Sequence, residues 1–189
     1  MKINKNKKKK FKKNTFPLIS IITVVLNNTS HLQKTINSIS NQKYQNYELI
    51  VIDGGSSDGT LKIIKKNRNK IDKWISEKDK GIYDAFNKGM SLANGDYIGF
   101  VNSDDILLPN ALKILVKYIK KYPNSDFFFG AVKKHWGVLH GYRPWKIFFS
   151  WGFYSSHSTG FFIKLKSARI VGKYNLKYKY SSDYDYFYR

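Results

Sequence analysis

The most constraining stretch of this 189-residue chain is GDYIGFVNSDD, residues 95–105. A glycine break leads into an apolar segment, Tyr97 to Val101, which stops abruptly in polar residues and ends in adjacent carboxylates, Asp104 and Asp105. That pattern predicts a buried strand delivering two acids to its C-terminal edge. Open α/β sheets bind ligands at that edge. Neighbouring carboxylates repel each other and cost desolvation, so a cation is a natural partner for the pair. The competing role is local, since either acid can cap the helix that Pro109 introduces.

The rest of the chain supplies the sheet that such a strand needs. LISIITVVL, residues 18–26, is a continuous apolar run rich in β-branched residues, as in a central parallel strand covered on both faces. It ends in Asn27 and Asn28, which suit a turn. A helix is expected from Ser30, with Gln33 completing a capping box and Leu32, Ile36 and Ile39 on one face. YELIVID forms a second buried strand ending at Asp53, and GGSSDGT is a loop by its glycine content. Asp58 is placed to cap the next helix, which has Leu61, Ile64 and Arg68 on one side and a lysine-rich back. KWIS, residues 73–76, makes a short third strand. Ile82, Ala85, Phe86, Gly89, Met90 and Ala93 form a helical stripe closed by Asn94 and Gly95. A helix from about Pro109 to Tyr122 turns Leu112, Leu115, Val116 and Ile119 inward, and DFFFGAV, residues 126–132, reads as another strand. Strands alternating with helices at this spacing predict a parallel sheet with right-handed crossovers. Asn27, Asp53 and Asp104 then lie along one rim.

Composition bounds the alternatives. One domain with a substantial core fits the length and the 42% hydrophobic content. Cysteine is absent, which excludes disulfides and thiolate metal sites. The net charge is +21, of which Met1 to Lys13 contribute eight lysines and no acid, leaving +13 elsewhere. Residues 1–16 read as a solvated, disordered basic tail, with adhesion to an anionic membrane face or to nucleic acid as its functional alternative. The tail lacks the apolar stretch of a signal peptide, and residues 18–26 are too short to span a bilayer. From residue 126 onward the texture changes, with 20 of the 31 aromatic residues in the last 64 positions. RPWKIFFSWGFY, residues 143–154, reads as a core-covering loop or amphipathic helix; its alternative is a patch resting on a membrane that carries a lipid-linked acceptor.

Three features need one explanation: a strand ending at Asp53 before a glycine loop, a strand ending in Asp104 and Asp105, and the late acidic cluster SSDYD at residues 181–185. A glycine loop lets backbone approach a bulky polar ligand, and a carboxylate pair can hold a divalent ion against that ligand's phosphates. A third acid from a separate segment can serve as general base. The combination suits group transfer from a nucleotide diphosphate.

On the blocks SIITVVLN, YELIVIDGGSSDGT, SEKDKGIYDAFNKGMSLANGDYIGFVNSDD, HSTGFF and SSDYDYFYR, taken in order over residues 18–189, the chain resembles the family 2 inverting nucleotide-sugar glycosyltransferases. It is most similar to their polysaccharide-biosynthesis branch. The resemblance implies a GT-A fold: an α/β, Rossmann-related sandwich with a central, mostly parallel sheet flanked by helices, spanning residues 17–189.

The resemblance also implies roles by position. Thr23, Val24, Val25, Asn27, Asp53, Gly54, Ser56 and Asp58 would line the nucleotide pocket. Lys80, Asp84 and Asn87 would touch the donor, with helix packing an alternative of at least equal weight for that block. Asp104 and Asp105 stand at the DXD-type motif that binds the diphosphate and a divalent Mn2+ or Mg2+, with Asp105 the stronger candidate for direct metal contact and His157 a further candidate for the metal or the donor phosphates. Asp183 matches the catalytic base, with Asp185 as its understudy, and Arg189 matches an arginine that follows the base. The implied partners are a nucleotide-sugar donor, preferably a UDP-sugar, and a glycan or lipid-linked acceptor. The implied setting is the cytoplasm, peripheral on the inner face of a bacterial membrane.

Two departures stand out. Gly54 and Gly55 occupy the place where many relatives carry a second acid near the base, and the chain stops at Arg189 where relatives continue. A C-terminally incomplete, nucleotide-sugar-binding fragment is therefore one alternative. A basic nucleic-acid-binding protein is another, disfavoured because the acids gather at strand ends where they would repel phosphate. A dinucleotide oxidoreductase is a third; it would need a glycine fingerprint opening the first helix, and no glycine follows Leu26 there.

Overall fold

The computed structural model describes residues 4–5, 16–135, 137–139 and 158–189. Its core is the pair of strands β2 (Ile19–Val25) and β3 (Tyr47–Asp53), in which all seven positions of each are buried. Both faces of these strands are covered, and so apolarity is continuous rather than alternating. β3 pairs in parallel with β4 (Lys73–Ser76), and β2 pairs in parallel with β5 (Tyr97–Phe100). The outer strands run the other way or close the edges. β9 (Phe161–Lys164) is antiparallel to β5 and to β6 (Phe127–Phe129), and β1 (Asn4–Lys5) is antiparallel to β4. The sheet order is β1-β4-β3-β2-β5-β9-β6, mostly parallel at its centre and antiparallel at its wings. A separate hairpin joins β7 (Val132–Lys134) to β8 (Gly137–Leu139).

Helices cover both faces. α1 (Leu32–Ser40), α2 (Thr60–Lys66) and α4 (Ala111–Lys121) share one apolar cluster with Ile21, Leu49 and Val51. α3 (Ile82–Leu92), α5 (Leu165–Val171) and α6 (Ser182–Tyr188) share the other with Ile22, Ile50 and Phe100. α3 lies close against β2 because Gly89 has no side chain. A Cβ there would come within 2.4 Å of Ile22 Cγ2.

At the end of the sheet opposite the carboxylate pair, a buried polar network fixes the turn between α3 and β5. Fully buried Glu48 accepts from Ser20 Oγ at 2.6 Å and from the Asn94 amide at 2.6 Å, and pairs with Lys73 Nζ at 2.8 Å. Lys73 also donates to the Leu92 carbonyl at 2.6 Å, and the Gly95 amide donates to Ser20 Oγ at 2.8 Å. The buried charge is thus paired and each of its oxygens is hydrogen-bonded.

Several local expectations are corrected. α1 begins at Leu32 with His31 at its N-cap and no side-chain cap, so the capping box is not made. Gln33 instead donates to Asn37 at 3.0 Å and Asn67 at 3.1 Å, while Asn28 Oδ1 accepts the His31 amide at 3.2 Å. Arg68 lies beyond the end of α2 and is exposed. Along α3 the inward position belongs to Tyr83, and Ile82 is exposed. Within the expected disordered tail, Asn4 and Lys5 pair with Trp74 and Lys73. Residues 143–154 lie outside the described residues.

Candidate active site

The strand order reverses at β2. From β2 the chain steps to β3 and β4 on one side, then returns to place β5 on the other. The crevice at such a switch point, beyond the C-terminal strand ends, is where α/β sheets receive ligands. Here it is built from Asn27 and Asn28 after β2 and from residues 102–105 after β5.

The turn carrying the two acids is held on all sides. The Ser103 amide donates to the Val24 carbonyl at 3.2 Å, and Asn28 Nδ2 donates to Ser103 Oγ at 3.0 Å. Thr35 Oγ1, on α1, reaches the carbonyls of Ser103 and Asp105 at 2.9 and 2.8 Å. On this frame Asp104 is exposed and Asp105 is half-buried, with Thr159 Oγ1 donating to Asp105 Oδ2. Beside them Asn102 Oδ1 is buried and has no hydrogen-bond partner among the described residues.

Asp53 also reaches the rim, but its carboxylate faces inward. It is fully buried and accepts from Ser56 Oγ and from Ser76 Oγ, the latter at 2.6 Å. Ser56 Oγ in turn accepts the Asn27 amide at 2.8 Å, and Asn27 Oδ1 accepts the Ser57 amide at 2.9 Å. Asn27 adopts a left-handed φ of 50°, a conformation that asparagine tolerates. Gly55, at φ 88°, packs its backbone on that of Lys78. Gly54 donates its amide to the Val25 carbonyl at 2.9 Å. The N-cap of α2 is Gly59, so Asp58 sits one residue before the expected capping position. It still accepts from the Thr60 hydroxyl at 2.6 Å and amide at 2.9 Å, and from the Thr29 amide at 3.2 Å. The Thr60 hydroxyl is the main reason its carboxyl is held below the usual carboxylate range. Thr23, Val24 and Val25 are buried within β2.

The other candidates fall on the α3 side. Lys80 is exposed at the start of α3, with its amide donating to Asp84 at 3.1 Å. Asn87 uses both ends of its amide on Tyr174: Nδ2 donates to the Tyr174 carbonyl at 3.0 Å and Oδ1 accepts the Tyr174 amide at 2.8 Å. These two bonds tie α3 to the segment that carries Tyr174. Asp183 and Asp185 lie in the first turn of α6. Asp183 Oδ1 accepts from the Tyr83 hydroxyl at 3.1 Å, whereas Asp185 pairs with Arg189 at 3.1 Å. Arg189 also donates to the Val171 and Lys173 carbonyls at 2.9 and 2.8 Å, which ties α6 to the end of α5. His157 lies outside the described residues.

The donor set at the switch point consists of two carboxylates and an orphaned amide oxygen, the hard oxygen ligands that Mg2+ and Mn2+ take. Among the described residues no group of three or more His, Cys, Asp or Glu forms a metal cluster. The residues present therefore fit a cation that is shared with a phosphate ligand rather than enclosed by protein. Thr159, Asn102 and Tyr83 are the contributors that sequence reasoning did not single out. Each lay within a motif block, at HSTGFF, NSDD and KGIYDAFNKG.

The sequence profile described as Glycosyl transferase family 2 matches residues 20–187. The chain belongs to that family. Among curated proteins it is 29% identical over 179 residues to a "PGL/p-HBAD biosynthesis glycosyltransferase" of Mycobacterium bovis, covering 90% of this chain and 68% of that one. An uncharacterized glycosyltransferase of Mycobacterium tuberculosis is 40% identical over 90 residues, covering 47% of this chain and 34% of the relative. Among solved structures, S. aureus TarS 1-349 in complex with UDP superposes with a TM-score of 0.73 at 21% identity, over 89% of this chain and 53% of that one. A Pyrobaculum calidifontis mannosyltransferase in complex with GDP-Man and Mn2+ superposes with a TM-score of 0.67 at 16% identity, over 89% and 53% of the two chains. This family 2 glycosyltransferase chain thus spans about two thirds of its mycobacterial relative and about half of these solved structures. Its fold is the expected GT-A-type sandwich. Family membership sets the chain among glycosyltransferases rather than dinucleotide oxidoreductases. Among the described residues no helix is long and apolar enough to cross a membrane.

Proposed function

We propose that residues 17–189 form a domain that transfers a sugar from a nucleotide-diphosphate sugar to an acceptor hydroxyl with inversion, in the synthesis of bacterial cell-surface glycans. The observation that carries this reading is the placement of Asp104 and Asp105 at the switch-point rim while Asp183 stands on a separate helix. An inverting displacement needs charge neutralisation at the leaving diphosphate and a base on the opposite face of the sugar. Asp105, Asp104 and Asn102 Oδ1 would hold a divalent Mn2+ or Mg2+ with the donor diphosphate, and His157 remains a candidate for the same group. When bound, the ion supplies Lewis-acid stabilisation of the diphosphate as it leaves.

The chain's own residues do the rest. The loop from Gly54 to Asp58, pinned to Asn27 through Ser56, lines the nucleotide side of the crevice beside Asp53. Asp183 accepts the proton of the acceptor hydroxyl as its oxygen bonds to the anomeric carbon and the bond to the diphosphate breaks. Asp185, paired with Arg189, is less suited to that task. TarS structures with UDP and UDP-GlcNAc support a UDP-sugar donor.

The same reading places the protein in the cytoplasm against the inner face of a membrane, serving a glycan or lipid-linked acceptor. Supporting this, Ile114 and Tyr118 on α4 and Tyr122 at its C-cap are exposed four residues apart, beside Lys113, Lys117, Lys120 and Lys121. No acid lies within α4. Apolar and aromatic groups among lysines suit an anionic lipid surface.

The test is turnover of a panel of UDP-glucose, UDP-galactose, UDP-N-acetylglucosamine and GDP-mannose with Mn2+, with the released or transferred sugar followed by proton NMR. An α-linked donor should yield the β anomer first, and Asp183→Asn should reduce turnover by about 100-fold or more. Release of the α anomer would overturn the inverting assignment.

A further inference from the structure

We infer that Tyr83 and Asn87, one turn apart on α3, are the positioning residues that fix Asp183 for catalysis. The inference rests on the reading of Asp183 as the base. α6 has only seven residues and no side-chain cap at its start, so it cannot owe its position to its own helical stability. Besides the Arg189 contacts to the end of α5 and the Phe161–Phe187 ring contact, α3 holds it. Residues four apart lie on one face of a helix, so Tyr83 and Asn87 address the same neighbour.

Asn87 makes two hydrogen bonds to the backbone of Tyr174, at 2.8 and 3.0 Å. Tyr174, buried, lies between α3 and α6. Its ring stacks on Tyr83 at 5.6 Å and 19°, and on Tyr186 of α6 at 4.1 Å and 14°. Phe86, also on α3, packs against the Tyr174 ring at 5.4 Å. The three stacked tyrosines carry α3's position across to α6. The Tyr83 hydroxyl then closes the arrangement by donating to Asp183 Oδ1 at 3.1 Å, and the Tyr184 amide donates to the same oxygen at 3.0 Å.

The consequence is chemical as well as mechanical. Tyr83 is buried, and burial together with the Asp183 carboxylate pushes its hydroxyl up to about 12. It therefore remains a proton donor throughout the working range and cannot itself take the acceptor's proton. By binding one oxygen of Asp183 it sets the rotation of the carboxylate and hence the direction in which the group accepts a proton. Lys88, in the second half of α3, pairs with Glu77 of the segment before the helix at 3.1 Å and with Asp84 in its first turn at 3.5 Å.

Tyr83→Phe keeps the ring stack and deletes only the hydroxyl. With whichever donor of the panel is turned over, it should lower kcat about tenfold while leaving the donor KM and the melting temperature unchanged. In an Asp183→Asn background the same change should have no further effect. Asn87→Ala, which removes the clamp instead, should raise amide hydrogen exchange across residues 182–188 and also lower kcat. Full kcat in Tyr83→Phe beside an inactive Asp183→Asn would overturn the positioning role and leave the base assignment standing. An equal loss from Tyr83→Phe in both backgrounds would overturn it too, since the hydroxyl would then act through something other than Asp183. Unchanged exchange in Asn87→Ala would overturn the clamp. An Asp183→Asn variant as active as the parent, or no turnover of any donor, would overturn the base assignment and this inference with it.

Discussion

Thr159 donates its hydroxyl proton to a carboxylate oxygen of Asp105, 54 residues earlier in the chain. Two residues beyond Thr159, the Phe161 ring lies 4.4 Å from Phe187 on α6. Residues 159–161 therefore connect the acid pair at the sheet rim to the helix that carries Asp183. Through this connection the proposed site would draw on acids that lie 78 residues apart in sequence, from Asp105 to Asp183.

Thr159 fixes the orientation of a carboxylate proposed to hold a metal. Groups that hydrogen-bond to metal ligands govern affinity nearly as strongly as the ligands themselves. Thr159→Val should preserve the fold and weaken Mn2+-dependent nucleotide binding about tenfold, read by titrating Mn2+ at fixed UDP. Thr159→Ser, which keeps the hydroxyl, should restore it.

The buried Glu48 gives a prediction about stability alone. Lys73→Met leaves its carboxylate unpaired in the core and should cost about 3–5 kcal/mol in urea denaturation. Combining Lys73→Met with Glu48→Gln removes the stranded charge, and the double variant should recover part of that loss. Equal losses in the two would mean that the ion pair itself contributes little.

Stability should also depend on alkaline pH. Burial, with Asp183 alongside, pushes Tyr83 up to about 12, and burial does the same for Tyr186 against a downward pull from Arg189. An unfolded tyrosine loses its proton near its ordinary value of about 10. Raised folded values mean that the stabilisation is complete below about pH 10 and is lost as pH rises through about 12. Each tyrosine accounts for at most about 3 kcal/mol of that loss. Tyr186→Phe should lose less stability between pH 9 and pH 11.5 than the parent does, as measured by urea midpoints.

The α4 surface predicts binding to anionic vesicles. A variant combining Lys117→Glu, Lys121→Glu and Tyr118→Ser should partition about tenfold or more weakly onto phosphatidylglycerol vesicles, since each lysine near such a surface contributes about 1 kcal/mol. Binding of the parent should fall with salt and be slight on neutral vesicles. Equal partitioning of parent and variant would exclude α4 as the contact.

Much of the sheet was legible because a doubly covered strand writes itself as a continuous apolar run. Ile19–Val25 and Tyr47–Asp53 read this way, and the abrupt polar stop after Val101 placed Asp104 and Asp105 at the rim. The α4 stripe of Leu112, Leu115, Val116 and Ile119 followed from helical period in the same way. What periodicity could not show was where polar side chains turn. Asp53 sits at the rim by position yet folds inward onto Ser56 and Ser76, because a carboxylate at a strand end can be satisfied by neighbouring hydroxyls. Asn87 and Tyr83 looked like residues of a motif block. Their partners, Tyr174 and Asp183, come from a segment about a hundred residues later, and no local pattern encodes such a pairing. Tyr83 rather than Ile82 faces inward for the same reason: the stacked Tyr174 ring and the Asp183 carboxylate reward a tyrosine there. The antiparallel wings of the sheet were equally hidden, since β6 and β9 are short and pair across residues that show no repeat.

The rim beyond β2 and β5 is proposed to bind a nucleoside diphosphate through Asp104 and Asp105 with a divalent cation. Calorimetric titration of UDP and GDP into the protein, with and without Mn2+ and repeated on Asp105→Ala, measures this binding directly. One nucleoside diphosphate should bind, should require Mn2+ to do so, and should no longer bind in Asp105→Ala. Binding of equal strength without Mn2+, or undiminished in Asp105→Ala, would contradict the proposal.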